Sequence, residues 1–244
     1  MNMNQTTVMI TGGTRGLGRA LAKTLAARGA RVAIVARDRA AVAETAAAIE
    51  AGGGTALGIV GDVGRPEEVL RIAASVSAAF GHVDAIVHNA GSLGAVPLPT
   101  LLDMTESDVA QAFAVNALGP LALTRALAGG MLLRGSGLIV HISSDAAHEA
   151  YPTWGGYGAS KAAIEHISRT LAVELQGTGV RVITVDPGEM NTQMHADAIP
   201  EADPDTLADP AVVAAHLADI MADGHGAPSG ARIDVGQWAD RRSA

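Results

Sequence analysis

Val8-Met9-Ile10-Thr11-Gly12-Gly13-Thr14-Arg15-Gly16-Leu17-Gly18 decides how this chain is read. Three apolar residues make a short buried strand, glycines at 12, 16 and 18 turn the backbone tightly, and a helical stretch runs on to about Ala27. A glycine turn between a first strand and a helix gathers backbone N–H groups at a helix N-terminus, where a diphosphate fits. Such a pattern is weak alone and gains weight from its place directly after the first strand.

The rest of the chain repeats that alternation. Strands are expected at Arg31–Ala36, Leu57–Val60, Ala85–His88, Leu138–Ile142, Arg181–Val185 and Ala231–Val235. Helices are expected at Arg39–Ala51, Pro66–Phe80, Ser107–Leu127 and Tyr157–Gln176, with one more capped by Asp209 and opened by Pro210. The order implies βαβ units, and so an α/β fold with a parallel, doubly wound sheet of seven strands flanked by helices. The exception is Asn191 to Ala208, rich in Pro, Asp and Ala, which reads as a long irregular insertion, either a lid or a solvated connection.

Composition narrows the function. A net charge of -8 argues against nucleic acid or an anionic membrane as the main partner. Cysteine is absent, which excludes disulfides and thiolate metal sites. Met1 to Thr7 carries no signal-peptide pattern, and a soluble, cytoplasmic protein is expected. His195 and Asp197 near Glu189 match no metal-binding spacing, so no metal is expected.

Two further places bear on chemistry. Tyr157 and Lys161 stand four apart on an expected helix, so phenol and ammonium share a face, with Ser143-Ser144 shortly upstream. A phenol titrates near 10 in water, and a fixed cation beside it would bring it toward neutral pH. At the end of the second strand an NAD-type site places an acid on the ribose hydroxyls; here Ala36 stands there, followed by Arg37, which suits a 2'-phosphate. Arg15 is a second candidate cation, and Asp38 is the acid that could reverse the preference. Asp62-Val63 fits an adenine contact, and Asn89-Ala90-Gly91 a turn bordering the cofactor.

Together these residues resemble the short-chain dehydrogenase/reductase family in its compact single-domain branch. The resemblance rests on Thr11-Gly12-x-x-x-Gly16-x-Gly18, Asn89-Ala90-Gly91, Asn116, Ser144, Tyr157-x-x-x-Lys161 and Pro187-Gly188 with Thr192. It implies one NAD(P)-binding Rossmann domain over residues 1–244, with a substrate-loop insertion at about 189–208. It also implies that Tyr157 is general acid or base, Ser144 holds the carbonyl oxygen, Lys161 tunes Tyr157 and binds the nicotinamide ribose, and Asn116 holds a relay water. Gly12, Thr14, Arg15, Gly16, Leu17, Gly18, Pro187, Gly188, Met190 and Thr192 would bind cofactor, NADP(H) before NAD(H). Two departures are His141, where the family often has Asn, and Ala147, where glycine is frequent; His141 reads as a buried structural histidine.

The implied activity is NADPH-dependent reduction of a carbonyl, reversible as alcohol oxidation, on a small-molecule substrate. A catalytically silent cofactor-sensing protein and an isomerase or epimerase are the alternatives. The long helices at Ser107–Leu127 and Tyr157–Gln176 resemble those that pair between subunits in the family, which implies a homotetramer or homodimer. The chain has only two Phe, two Tyr and two Trp, and Tyr151, Trp154 and Tyr157 lie within seven positions, which suggests a pocket wall. Leu93, His148, Glu149 and Met194 are further candidate substrate contacts, with Glu189 and His195 on segments bordering the site. Gly236 to Ala244 reads as a short polar tail, a cover for a neighbouring subunit or an unordered end.

Overall fold

The computed structural model describes residues 3–222 and 227–243; Ala244, the end of the expected polar tail, lies outside them. Seven parallel strands form one sheet: β1 (Thr7–Thr11), β2 (Arg31–Ala36), β3 (Thr55–Val60), β4 (Ala85–His88), β5 (Gly137–Ile142), β6 (Val180–Asp186) and β7 (Arg232–Asp234), in the order β3-β2-β1-β4-β5-β6-β7. The order reverses between β1 and β4. At such a switch point the loops leaving two neighbouring strands diverge and open a crevice at their C-terminal ends.

Alternate strand residues serve two separate cores. Val8, Ile10, Val32, Ile34, Val87 and Val140 face one side, where they meet α1 (Gly16–Ala27). Met9, Ala33, Val35, Ile86 and Ile139 face the other, where α2 (Arg39–Ala51) has no part and α3 (Pro66–Phe80) covers them. Burial on both faces is why the strands read as continuous apolar runs.

The helix expected at Ser107–Leu127 is longer and broken in register. A capping box between Thr105 and Asp108 starts α4 (Glu106–Phe113), a π-helical turn covers Ala114–Leu118, and α5 (Gly119–Arg134) follows. Gly129 and Gly130 do not end it; Gly135, left-handed at φ 63°, does. This stretch is long and apolar enough to cross a membrane by length and composition, but here α5 packs on α3.

α6 (Gly155–Glu174) carries Tyr157 and Lys161. The insertion is less irregular than its composition suggests. Its base is pinched by Asn191 N to Ala208 O (2.9 Å) and Ala208 N to Glu189 O (3.1 Å), and it contains α7 (Gln193–Ala198), capped by Thr192. α8 (Pro210–Ala222) packs against α1. The polar tail is helical: α9 (Val235–Ser243) leans Trp238 toward His216 of α8, with 6.0 Å between ring centroids.

Candidate active site

A cleft of about 1270 Å³ opens at the C-terminal ends of the strands. Its first wall is the turn after β1. Gly12 has φ 67°, and a Cβ there would meet the Ala90 Cα at 2.9 Å. A Cβ on Gly18 would collide with the Gly12 carbonyl oxygen and the Asn89 amide. Asn89 fixes this approach, its Nδ2 donating to the carbonyls of Thr11 (3.0 Å) and Gly12 (3.1 Å). Gly18 is therefore a packing glycine behind the turn, while Gly12, Thr14, Arg15, Gly16 and Leu17 line the cleft.

Arg15 and Arg37 also line this end, both exposed, and neither forms an ion pair among the described residues. Asp38 lines the same end of the cleft, where its Oδ1 accepts the Ala41 N–H at 2.9 Å and caps α2. Asp62 stands at the end of β3, with Oδ1 accepting the Gly64 N–H at 2.9 Å.

At the opposite end Tyr157 and Lys161 are buried, at 7% and 4% exposure. The Lys161 Nζ donates to the Ile142 carbonyl at 2.8 Å and lies 5.5 Å from the centre of the Tyr157 ring. Burial pulls the ammonium down to about 8, opposed by the charges of Asp186 and Glu165. The phenol behaves contrary to expectation. Burial dominates and pushes Tyr157 above its ordinary value; the Ser144 hydrogen bond opposes this, and Asp186 and Asp145 add to it. Tyr157 is held as a neutral phenol.

Ser144 Oγ donates to Asp145 Oδ1 at 2.9 Å and accepts the Ala146 N–H at 3.2 Å. Asp145 also accepts from the Tyr151 hydroxyl at 2.8 Å. Trp154 stands edge-on to Tyr151 and to Tyr157, with centroids 6.4 and 5.6 Å away. Leu93, Ala146 and Tyr157 form a small apolar cluster, closed by Trp154, Leu98 and, from the insertion, Met194 and Ala198.

Asn116 sits in the π-helical turn at 2% exposure, behind the cleft. Its Oδ1 accepts the Ser92 N–H, and its Nδ2 donates to the Ser92 carbonyl and to Ser160 Oγ, each at 2.8 Å. Widened turns of this kind recur at functional sites.

Known proteins are similar to this chain in sequence and fold. Residues 6–203 match the family described as short chain dehydrogenase. The chain belongs to the short-chain dehydrogenase/reductase family. It is 36% identical over 198 residues to a short chain dehydrogenase of Pseudocercospora fijiensis, covering 79% of this chain and 63% of that one. It is 34% identical over 200 residues to an NADPH-dependent aldehyde reductase-like chloroplastic protein of Arabidopsis thaliana, covering 78% and 74%. A short chain dehydrogenase of Escherichia coli, solved in complex with NADPH, superposes with a TM-score of 0.88 at 28% identity over 96% of this chain and 98% of that one.

Most residues singled out from the sequence meet in this one cleft: Val63, Ala90, Gly91, Pro187, Gly188, Met190 and Thr192 join those above. His148 and Glu149 do not line it. His148 is drawn backwards, its Nε2 lying 2.6 Å from Glu165 Oε2. His195 Nε2 lies 3.7 Å from Glu189 Oε1, and among the described residues no group of three or more His, Asp or Glu could hold an ion.

Sequence reasoning missed two features. His88 stacks on His141, and both are fully buried and held below the ordinary histidine range by desolvation. Glu165, one helical turn beyond Lys161, is a carboxylate only 2% exposed. Its spacing from Lys161 was the available signal for a shared face.

Proposed function

We propose that this short-chain dehydrogenase/reductase is an NADPH-dependent carbonyl reductase, reversible as an alcohol dehydrogenase, with Tyr157 as general acid and base. One observation carries the reading. A single cleft has Ser144, Tyr157 and Lys161 at one end and, at the other, Arg15 and Arg37, which form no ion pair among the described residues, while the neighbouring Asp38 caps α2 through Oδ1. The Gly12–Gly16 turn lines the cleft at the start of α1, where a diphosphate would sit. Arg15 and Arg37 would pair with a 2'-phosphate, Asp62 and Val63 would flank the adenine, and Pro187, Gly188, Met190 and Thr192 would face the nicotinamide. The NADPH-bound E. coli protein and the Arabidopsis NADPH-dependent relative support the same preference.

The bound nicotinamide cofactor supplies the hydride. The chain's own groups handle the oxygen and the proton. Ser144 donates to the substrate oxygen in place of Asp145, stabilising charge as it develops there. Tyr157 gives that oxygen its phenolic proton, and its raised affinity for the proton keeps it loaded at neutral pH. The Lys161 ammonium offsets the charge left on the phenolate, and Asn116 steadies Ser92 and, through Ser160 Oγ, the Tyr157 backbone carbonyl. Trp154, Met194 and Leu93 make an apolar wall that keeps water from the reacting carbon.

We place the enzyme in the cytoplasm as a homotetramer or homodimer acting on a small carbonyl or alcohol. Light scattering that finds only a 24.6 kDa species would overturn the assembly. The activity is tested by parallel binding titrations of NADPH and NADH on the wild type and Arg37→Ala. Tight NADPH binding that collapses in the variant supports the reading; preference for NADH, or binding of neither, defeats it.

A further inference from the structure

Glu165 has no place in the mechanism above, yet it is among the most buried carboxylates of the described residues. Ser143 Oγ donates to its Oε1 at 2.6 Å, and Arg232 Nε to the same oxygen at 3.0 Å. His148 Nε2 lies 2.6 Å and Arg169 Nη1 3.7 Å from Oε2. Arg232 extends the chain of contacts, its Nη2 donating to Asp186 Oδ2 at 2.6 Å. Asp186 in turn accepts the Gly188 N–H through Oδ1 at 3.0 Å. Two carboxylates and one guanidinium thus join α6, the end of β5, the end of β6 and β7.

Burying a carboxylate is costly, and well-packed apolar residues stabilise such positions as well or better. Stability alone therefore does not account for a charged group here. Its contacts run instead to the residue before Ser144 and, through Arg232, to the segment that starts at Pro187. We propose that Glu165 and Arg232 are the positioning pair of this site: they fix Ser144 and the Pro187–Gly188 segment relative to each other, and balance the charge around the Lys161 ammonium. The functional half of this inference rests on the reductase reading.

The groups facing Lys161 can be named element by element. α6 contributes Tyr157 and Glu165, β5 the Ile142 carbonyl and His141, and β6 Asp186; the loop after β5 adds Asp145, whose charge acts on Tyr157 and Asp186, and β7 adds Arg232 through its contacts with both acids. Glu165 and Asp186 favour the ammonium, and the Arg232 guanidinium, bonded to both carboxylates, competes for their charge. Removing the acid and removing the arginine must therefore move Lys161 in opposite directions, which a purely packing role would not do.

Lys23 and Lys161 are the two lysines of the chain, so a protein labelled with 13C at lysine Cε gives two side-chain resonances, assigned with Lys23→Arg. In the wild type the Lys161 signal is expected to titrate near pH 8. Glu165→Gln should lower that midpoint by about one unit, and Arg232→Met should raise it. With NADPH and an accepted carbonyl, both variants should lose roughly tenfold in kcat with little change in KM for NADPH, and Arg232→Lys should recover part of the loss. Midpoints that stay put in both folded variants, or that move in the same direction, overturn the proposal. So do unchanged kcat values. If the wild type reduces no carbonyl at all, the reductase reading fails, while the opposed midpoint shifts still decide whether the pair balances Lys161. Should Glu165→Gln not fold, the upward shift in Arg232→Met carries the test.

Discussion

His88 and His141 stack face to face in adjacent strands, with ring centroids 4.8 Å apart and planes 12° from parallel. His88 Nε2 pairs with Thr124 Oγ1 at 2.9 Å and His141 Nδ1 with Ser168 Oγ at 2.8 Å. Burial, and for His141 the Lys161 charge, pulls His141 down to about 3, and His88 also falls well below 6.5. Both rings are thus neutral in the folded protein and charge readily only when unfolded. Their effect on stability has a definite sign. Above about pH 6.5 neither state binds the extra proton; below it the unfolded chain binds protons that the folded one refuses. Stability should drain as pH falls below 6.5, for His141 on toward 3, by up to about 1.4 kcal/mol per pH unit for each ring. Urea unfolding at pH 7.5 and 5.5 measures the loss. His141→Asn, which can keep the Ser168 contact, should reduce the slope, and equal slopes would refute the assignment.

Tyr157→Phe removes the phenolic proton and keeps the ring against Trp154. The expected loss in kcat is about 10²- to 10⁴-fold, with NADPH affinity unchanged within a few-fold. Steady-state rates beside a binding titration separate the two effects, and undiminished turnover would contradict the role of the phenol.

Ala36→Asp restores an acid at the end of β2, beside Arg37. The new carboxylate would repel a 2'-phosphate and accept ribose hydroxyls, so the ratio of NADPH to NADH affinity should fall about tenfold or more. An unchanged ratio would mean that the ribose does not lie against this strand end.

Gly18→Ala drives a methyl group into the Gly12 carbonyl and the Asn89 amide that steadies it. Overpacking of backbone against backbone should cost about 1–3 kcal/mol and weaken cofactor binding along with it. Thermal unfolding followed with and without NADPH tests both, and a variant as stable and as responsive to NADPH as wild type would show that the turn can relax.

Much of the fold was legible because the chain is locally consistent. Val8–Ile10, the glycines after it and the alternation of strands with helices each point to the same parallel sheet. The cleft was legible where short spacing carries the geometry, as in Tyr157 and Lys161. What escaped was set by neighbours distant in sequence. His88 meets His141 only through the register of β4 with β5. The helix-capping role of Asp38 shows only when its carboxylate is seen on Ala41 N. Glu165 resembles any solvated helix acid until Ser143 and Arg232 close over it. The raised Tyr157 phenol reflects desolvation, which depends on Leu93, Trp154 and Met194 converging from three separate segments.

Aromatic side chains are so few here that the two indoles have separate territories. Trp154 leans on the Tyr157 phenol, and Trp238 lies on the C-terminal helix near His216. Ultraviolet light absorbed by the protein is therefore emitted from two places, one of them beside the reacting centre. With Trp238→Phe the molecule keeps a single emitter, and its glow then reports on the cleft alone.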